Sequence, residues 1–474
     1  AAAASCVAYL GDTPPGTYCL LPNGETCAAN TDCVSTYCNG TCKRKPIATA
    51  NACDPDLDTC EDADADCITY HQSSPTGYYC LLPIAATCTA NDQCGSNDCN
   101  GTCVAEVCTV CSTCPFTTVQ AALSGATDGD TIRIDGGTYT EDLVVPEMNL
   151  TITNCNSEKV TLKNASDNTR TLVIGDASTG YPFPVVTIRN ITVTGKGAAV
   201  ADQTTPVAPS VGDGGIDCYN NLNLEGTTKV TGCNWLATAG GGVFLITASL
   251  ENLVTDSQKV SLSGMAEVSH NYASQNGGGI GVDSYDNNSL PWIELKDSAT
   301  VSYNATGGSG GGIHTEPYVR LSTEGDAVIS HNRALAGSGG GVWFGGKVQS
   351  TVWMKGNSQI VFNSAANGGS AVGGGIYVND YEPNSTYIVE LYDDALVADN
   401  TSDGQAGGVT PNTTAVAMYL RDRAKITRNT AAAGNSGGVW NALLDVRGDA
   451  QVIDNTPVDC SSVTDVSGSK GCGV

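Results

Sequence analysis

The chain has 474 residues, about three domains at ~150 residues each unless a single elongated fold uses them all. Charged residues make up only 15%, Asp and Glu outnumber Lys and Arg by 49 to 22, and the net charge of −27 argues against a nucleic-acid binder and against anchoring on an anionic membrane. Gly is abundant at 56 while Phe (5) and Met (4) are scarce, so a conventional aromatic, helix-packed core is excluded as well.

Seventeen of the 22 cysteines lie in the first 114 residues, and the other five are Cys155, Cys218, Cys233, Cys460 and Cys472. An even count crowded into one segment reads as a disulfide framework in an oxidising compartment. The sequence begins AAAAS, as a mature chain does after signal-peptide cleavage. No apolar run approaches the ~18 residues of a membrane span. Asn-X-Ser/Thr sequons start at Asn39, Asn100, Asn149, Asn164, Asn190, Asn287, Asn304, Asn384, Asn400 and Asn412. Together these features predict a secreted, extracellular glycoprotein.

In chain order, the first elements are two copies of one cystine module. Cys6, Cys19, Cys27, Cys33, Cys38 and Cys42 are separated by 12, 7, 5, 4 and 3 residues; Cys67, Cys80, Cys88, Cys94, Cys99 and Cys103 repeat those spacings 61 residues later. The intervening residues repeat too, GTYCLLPNGETC against GYYCLLPIAATC, so the segment is a tandem duplication. A unit this small cannot bury a self-sufficient core and depends on disulfides, whose pairing the spacing leaves open. In cysteine spacing the modules resemble small extracellular modules of the Dickkopf and colipase type. Between them, Asp54, Asp56, Asp58, Asp62, Asp64 and Asp66 alternate along DPDLDTCEDADAD. They are candidate Ca²⁺ ligands, although the glycine and twelfth-position Glu of an EF-hand are missing, and a solvated acidic linker is the plainer reading. For Cys108, Cys111 and Cys114 in CTVCSTC, disulfides are favoured over zinc, because structural zinc sites want paired C-x₂-C elements or histidine partners, His71 is the only histidine nearby, and the compartment is oxidising. The expected domains are residues 1–50, 51–114 and 115–474.

The third region opens with a helical face of Val119, Ala122 and Leu123, then alternating TIRI and DLVV strands punctuated by Asp-Gly and Gly-Gly turns. This opening resembles the N-terminal cap and first turn of right-handed parallel β-helices of the pectin-lyase-like class. From residue 222 a period near 30 appears. One half of the unit is a strand ending in Asn at 271, 304, 332, 363, 400, 429 and 455, with a looser copy, VTGCN, at Asn234. The other half is a glycine cluster before a β-branched residue, ending at Gly242, Gly279, Gly312, Gly341, Gly375, Gly408 and Gly438. Stacked coils ~4.8 Å apart explain both: glycine permits positive φ and close approach, while Asn tolerates left-handed bends and bonds to its copies above and below. The predicted fold is therefore all-β, a right-handed parallel β-helix of roughly 11 coils preceded by two small disulfide-rich modules. The repeats also resemble those of chlamydial polymorphic membrane proteins, where F-x-x-N alternates with G-G-A-[ILV], and that likeness implies a β-helical adhesin.

Strand alternation places Val243, Ile280, Ile313, Val342, Ile376 and Val439 inside, together with Leu245, Val282, Phe344 and Val378. The residues between them, Phe244, His314, Trp343, Tyr377 and Trp440, are expected outside as an aromatic stripe. Its partner could be the protein's own long loops, a neighbouring subunit or a sugar. Polygalacturonase-type proteins carry N-T-D, a D-D pair, G-H-G and R-I-K in succession, and that series is not found here; Asp393–Asp394 reads as a solvated turn, and His270 and His331 as structural filler. The reading is thus a non-enzymatic structural protein without a cofactor, Ca²⁺ apart. Its expected partners are copies of itself, joined end to end through an uncapped last coil, and after them glycans. An adhesin and a polysaccharide lyase or hydrolase are the alternatives.

Overall fold

The computed structural model describes residues 108–465 except for 156–157, 177–181, 197–211, 237–238, 248–257, 284–289, 317, 347–349, 381–387, 414–415 and 433–434. Of the first 107 residues it describes Thr87, Thr89 and six short strands. The chain divides into two compact units, Ala1–Val107 and Cys108–Val474.

In the first unit, Ser5–Tyr9 pairs antiparallel with Gly16–Leu20, placing Cys6 opposite Cys19. Asp66–Tyr70 pairs in the same way with Gly77–Leu81, placing Cys67 opposite Cys80. The duplication read from cysteine spacing is thus repeated as the same hairpin in the same register. Lys45–Ile47 and Asp58–Cys60 form a parallel pair between the two hairpins in sequence.

The second unit starts before the expected boundary at 115. Val110 is fully buried and bridges to both Phe116 and Ile134, so the CTVCSTC segment belongs to the coil. Cys108–Cys155 ties it to the coil and Cys111–Cys114 closes a turn within it, disulfides as expected in preference to zinc. The helix Val119–Gly125 buries Val119, Ala122 and Leu123, the face read from the sequence. Its N-terminus is doubly capped: Thr118 Oγ1 accepts from Ala121 N–H, and the Glu141 carboxylate accepts from Val119 and Gln120 N–H, both at 2.9 Å.

The rest is a right-handed parallel β-helix. Three long parallel sheets of 12, 11 and 11 strands run from Thr131–Ile134 to Thr464–Asp465, from Gly137–Thr140 to Gln451–Ile453, and from Leu143–Val145 to Cys460–Ser461. A fourth, of six two-residue strands from Asn234–Trp235 to Thr401–Ser402, lines a corner. Eleven strands in two of the sheets match the expected eleven coils. Every inward residue named above, from Val243 to Val439 and from Leu245 to Val378, lies in one continuous core of Val, Ile, Leu and Ala.

The asparagines form a buried ladder. Asn304, fully buried, donates from Nδ2 to Asn332 Oδ1 at 3.0 Å and to the Val268 carbonyl at 2.9 Å. Its own Oδ1 accepts from the backbone N–H and Nδ2 of Asn271, both at 3.0 Å. The pattern repeats through Asn363, Asn400, Asn429 and Asn455, so each amide ties together three coils and keeps no unpaired valence.

Three details depart from the sequence reading. The left-handed residue at this corner is the one before each Asn: His270, Tyr303, His331, Phe362, Asp399, Arg428 and Asp454, with φ between 54° and 59°. That turn aims the Asn side chain inward, and the Asn itself keeps an ordinary φ. At the head of the ladder Cys233, not Asn234, holds the ladder position, its N–H donating to Asn271 Oδ1 at 3.0 Å. At the foot, Asp459 Oδ1 accepts from Asn455 N–H and Nδ2 at 2.8 and 2.9 Å, so an in-chain carboxylate closes the ladder where the sequence suggested no cap.

In the glycine cluster the roles are divided. The first glycine takes positive φ, as at Gly339 (66°), while the next two are required by contact: a Cβ on Gly340 would lie 2.4 Å from Ser364 backbone and 2.6 Å from Gly374 O. At the N-terminal end of this column sits Arg170, almost fully buried. It donates to Gly240 O at 2.7 Å, pairs with Asp217 at 2.6 Å and lies 3.8 Å over the Trp235 ring.

Asn363→Ala removes the acceptor of two Asn332 donors inside the core and should cost roughly 2–4 kcal/mol in chemical denaturation. Gly340→Ala should cost a comparable amount, because its Cβ meets backbone that cannot turn aside. An exposed substitution such as Met265→Ala should leave the midpoint within about 0.5 kcal/mol.

Candidate functional site

In the third sheet the predicted stripe is a real column, but one largely covered from solvent. Phe244, Gly281, His314, Trp343, Tyr377 and Thr410 succeed one another rung by rung, and Trp440 follows. They point away from the core, yet Phe244, His314 and Trp343 keep only 7%, 3% and 8% of their surface, while Tyr377 and Trp440 are half-buried. The rings cover one another, with His314 stacked on Trp343 at 4.2 Å and Trp343 tilted against Tyr377 at 6.2 Å. The left-handed glycine of each coil also folds back on the ring's base, so that a Cβ on Gly310 would lie 2.7 Å from His314 Cβ. Burial pushes the His314 imidazole down to about 3, leaving it neutral. The open interaction stripe is therefore corrected at Phe244, His314 and Trp343, which are buried, while Tyr377 and Trp440 keep part of their surface.

The exposed aromatic column lies at the asparagine corner, where His270 and His331 had been read as filler. Each left-handed residue directs its side chain outward, and four successive ones are rings: His270 stacks on Tyr303 at 5.1 Å, Tyr303 on His331 at 4.6 Å, and His331 on Phe362 at 5.1 Å. Tyr303 is 43% and Phe362 51% exposed. The column continues as Asp399 and Arg428, joined by two hydrogen bonds of 2.9 and 2.6 Å. The signal was in the sequence, in the residue preceding each repeated Asn.

The outer face of the first sheet combines acids, cations and rings. Glu294 is nearly buried and clasped by Lys259 and Lys296, the latter at 2.8 Å. Burial alone would raise its carboxyl, but the two lysines outweigh that and hold it below the ordinary carboxylate range. Asp445 is held the same way by Arg447 and Arg421, each at 3.0 Å. Trp353, Glu390, Tyr419 and Asp445 succeed one another in a single column. The Tyr392 hydroxyl donates to Glu390 at 3.0 Å. Carboxylates fixed in their ionised form suit recognition and poorly suit general acid catalysis. Asp393 takes a left-handed turn, and exposed Asp394 pairs with Arg423, in keeping with a solvated bend. Among the described residues no group of three or more His, Cys, Asp or Glu is placed to hold a metal ion.

The remaining predicted sites divide by burial. Asn164, Asn304 and Asn400 are fully buried with Nδ2 engaged, so the folded coil has no room for a glycan on them, and these three acceptors are withdrawn. Asn149 is exposed, with Nδ2 on Asp128, and Asn190 and Asn412 are half-exposed. Asn39, Asn100, Asn287 and Asn384 lie outside the described residues, as do the side chains of the six alternating aspartates and of the twelve module cysteines. Cys218 and Cys233 are buried free thiols, each pushed up to about 12 by burial.

No protein-family model matches the chain, and no curated protein does. Among solved structures it is similar to the crystal structure of the pectin methylesterase from Aspergillus niger in deglycosylated form, at 13% identity and a TM-score of 0.29, over 76% of this chain and 89% of that one.

Two outcomes follow from this geometry. Unfolded His314 takes a proton near 6.5 whereas the folded ring stays neutral down to about 3. Because the unfolded state binds the extra proton, stability should decrease as pH is lowered from about 6.5 towards about 3, by about 1.4 kcal/mol per unit from this residue, and His314→Phe should remove that share of the slope in pH-dependent denaturation. Peptide mapping of protein made in a glycosylating host should find Asn304 and Asn400 unmodified in the folded fraction.

Proposed function

We propose that the protein is an extracellular structural glycoprotein that associates with copies of itself through the side of its β-helix. The observation that carries this reading is the exposed corner column of His270, Tyr303, His331 and Phe362. Four stacked rings, of which Tyr303, His331 and Phe362 are exposed, make an association surface with the period of the fold itself, which a second copy matches. In-chain closure of the asparagine ladder by Asp459 favours lateral contact over the end-to-end contact first suggested by the sequence. Disulfides in the described part of the chain, and the absence of any described helix long and apolar enough to cross a membrane, are compatible with secretion.

A second reading, glycan binding by an adhesin, is favoured by the mixed Trp353, Glu390 and Tyr419 column on the first sheet. The enzymatic reading has no support beyond the fold. Replacing Tyr303 and Phe362 together by Ser should leave the denaturation midpoint near that of the parent and abolish concentration-dependent association in sedimentation velocity. Association that persists unchanged would refute the lateral reading, and retention on a glycan array lost only with Trp353→Ser would select the second.

A further inference from the structure

The segment that joins the coil at its N-terminal end contains a Cys-x-x-Cys pair, Cys111-Ser112-Thr113-Cys114, closed as a disulfide with Cα atoms 4.9 Å apart. It differs from the buried thiols Cys218 and Cys233 in exposure and from the Cys108–Cys155 bond in span, while Cys460 is likewise half-exposed and disulfide-bonded. Cys155 is fully buried and its bond to Cys108 spans 47 residues; Cys218 and Cys233 are fully buried thiols. Cys111 and Cys114 are half-exposed, as Cys108 is, but here both sulfur-bearing residues are half-exposed and Ser112 and Thr113 between them are exposed. A bond across three residues removes little entropy from the unfolded chain, so stability gives a weak reason for its presence. Nor does the turn depend on it. Cys114 N–H donates to Cys111 O at 3.4 Å, Cys111 N–H donates to Phe116 O at 3.1 Å, and buried Val110 anchors the preceding residue in the core. The two sulfurs would stay neighbours after the bond opens, while Cys108–Cys155 keeps the segment tethered.

We propose that Cys111–Cys114 is a thiol-exchange site for an external thiol. The incoming thiolate attacks Cys114 Sγ, forms a mixed disulfide there and expels Cys111 as thiolate. Attack by Cys111 on Cys114 Sγ reverses the step and releases the external thiolate, whereas a second external thiolate attacking the mixed disulfide leaves the dithiol and takes the disulfide away, so electrons balance in either direction. The direction is set by Thr113, whose Oγ1 lies 3.6 Å from Cys111 Sγ and can donate to the departing thiolate. The site goes beyond the structural role proposed above and does not depend on it.

The full chain is incubated in a reduced and oxidised glutathione buffer, quenched with iodoacetamide and mapped by mass spectrometry. Exchange at Cys111–Cys114 at least about tenfold faster than opening of Cys108–Cys155 is expected, with glutathione on Cys114 and the alkyl group on Cys111. Thr113→Val should slow the exchange several-fold with an unchanged circular dichroism spectrum. Opening of Cys108–Cys155 first, or together with Cys111–Cys114, would overturn the site; glutathione found on Cys111 would overturn the assigned direction. A parallel incubation with a cysteine-bearing peptide distinguishes a protein-borne thiol from a small one, according to which of the two is captured faster.

Discussion

Vertical registry between coils is the constraint on which the rest of this structure depends. Each rung must lie one strand spacing above the last, and the asparagine ladder enforces this by tying each of its own amides, such as Asn304, to the coil before and the coil after. A backbone group in a solenoid pairs only with its neighbours, so one misplaced rung would leave a whole row of polar groups unpaired. The glycine column supplies the other half of the constraint, because at Gly340 and its equivalents the backbones approach too closely for any Cβ.

Registry also explains why chemistry is distributed in columns. A residue type repeated at one position of the unit becomes a stack along the coil, whether aliphatic inside, amide at the corner, aromatic outside it or charged on the first sheet. Such an arrangement gives extended surfaces of uniform period.

Both ends of the repetitive columns are closed by charges. Arg170 terminates the glycine carbonyls at one end, held by Asp217 and the Trp235 face, and Asp459 terminates the asparagines at the other. A charged group can satisfy several dipoles at once, which suits it to a position where the next identical rung is missing. Neither residue belongs to the repeat, and neither stood out in the sequence for that reason.

The sequence by itself determined the coil, with its period, its inward Val, Ile and Leu and the capping helix face of Val119, Ala122 and Leu123, and the duplication within the first unit. These follow from local spacing, which alternation and turn chemistry convert directly into structure. Which outward side chain ends in solvent was decided only by the tertiary structure. Phe244, His314 and Trp343 alternate correctly out of the core, yet the fold shelters them beneath their own glycine turns and one another. His270, Tyr303, His331 and Phe362 are displayed because a left-handed residue before each asparagine throws its side chain off the corner. Burial is a property of what the neighbouring coils and turns place above a residue, and that arrangement is not written in the residue's own spacing.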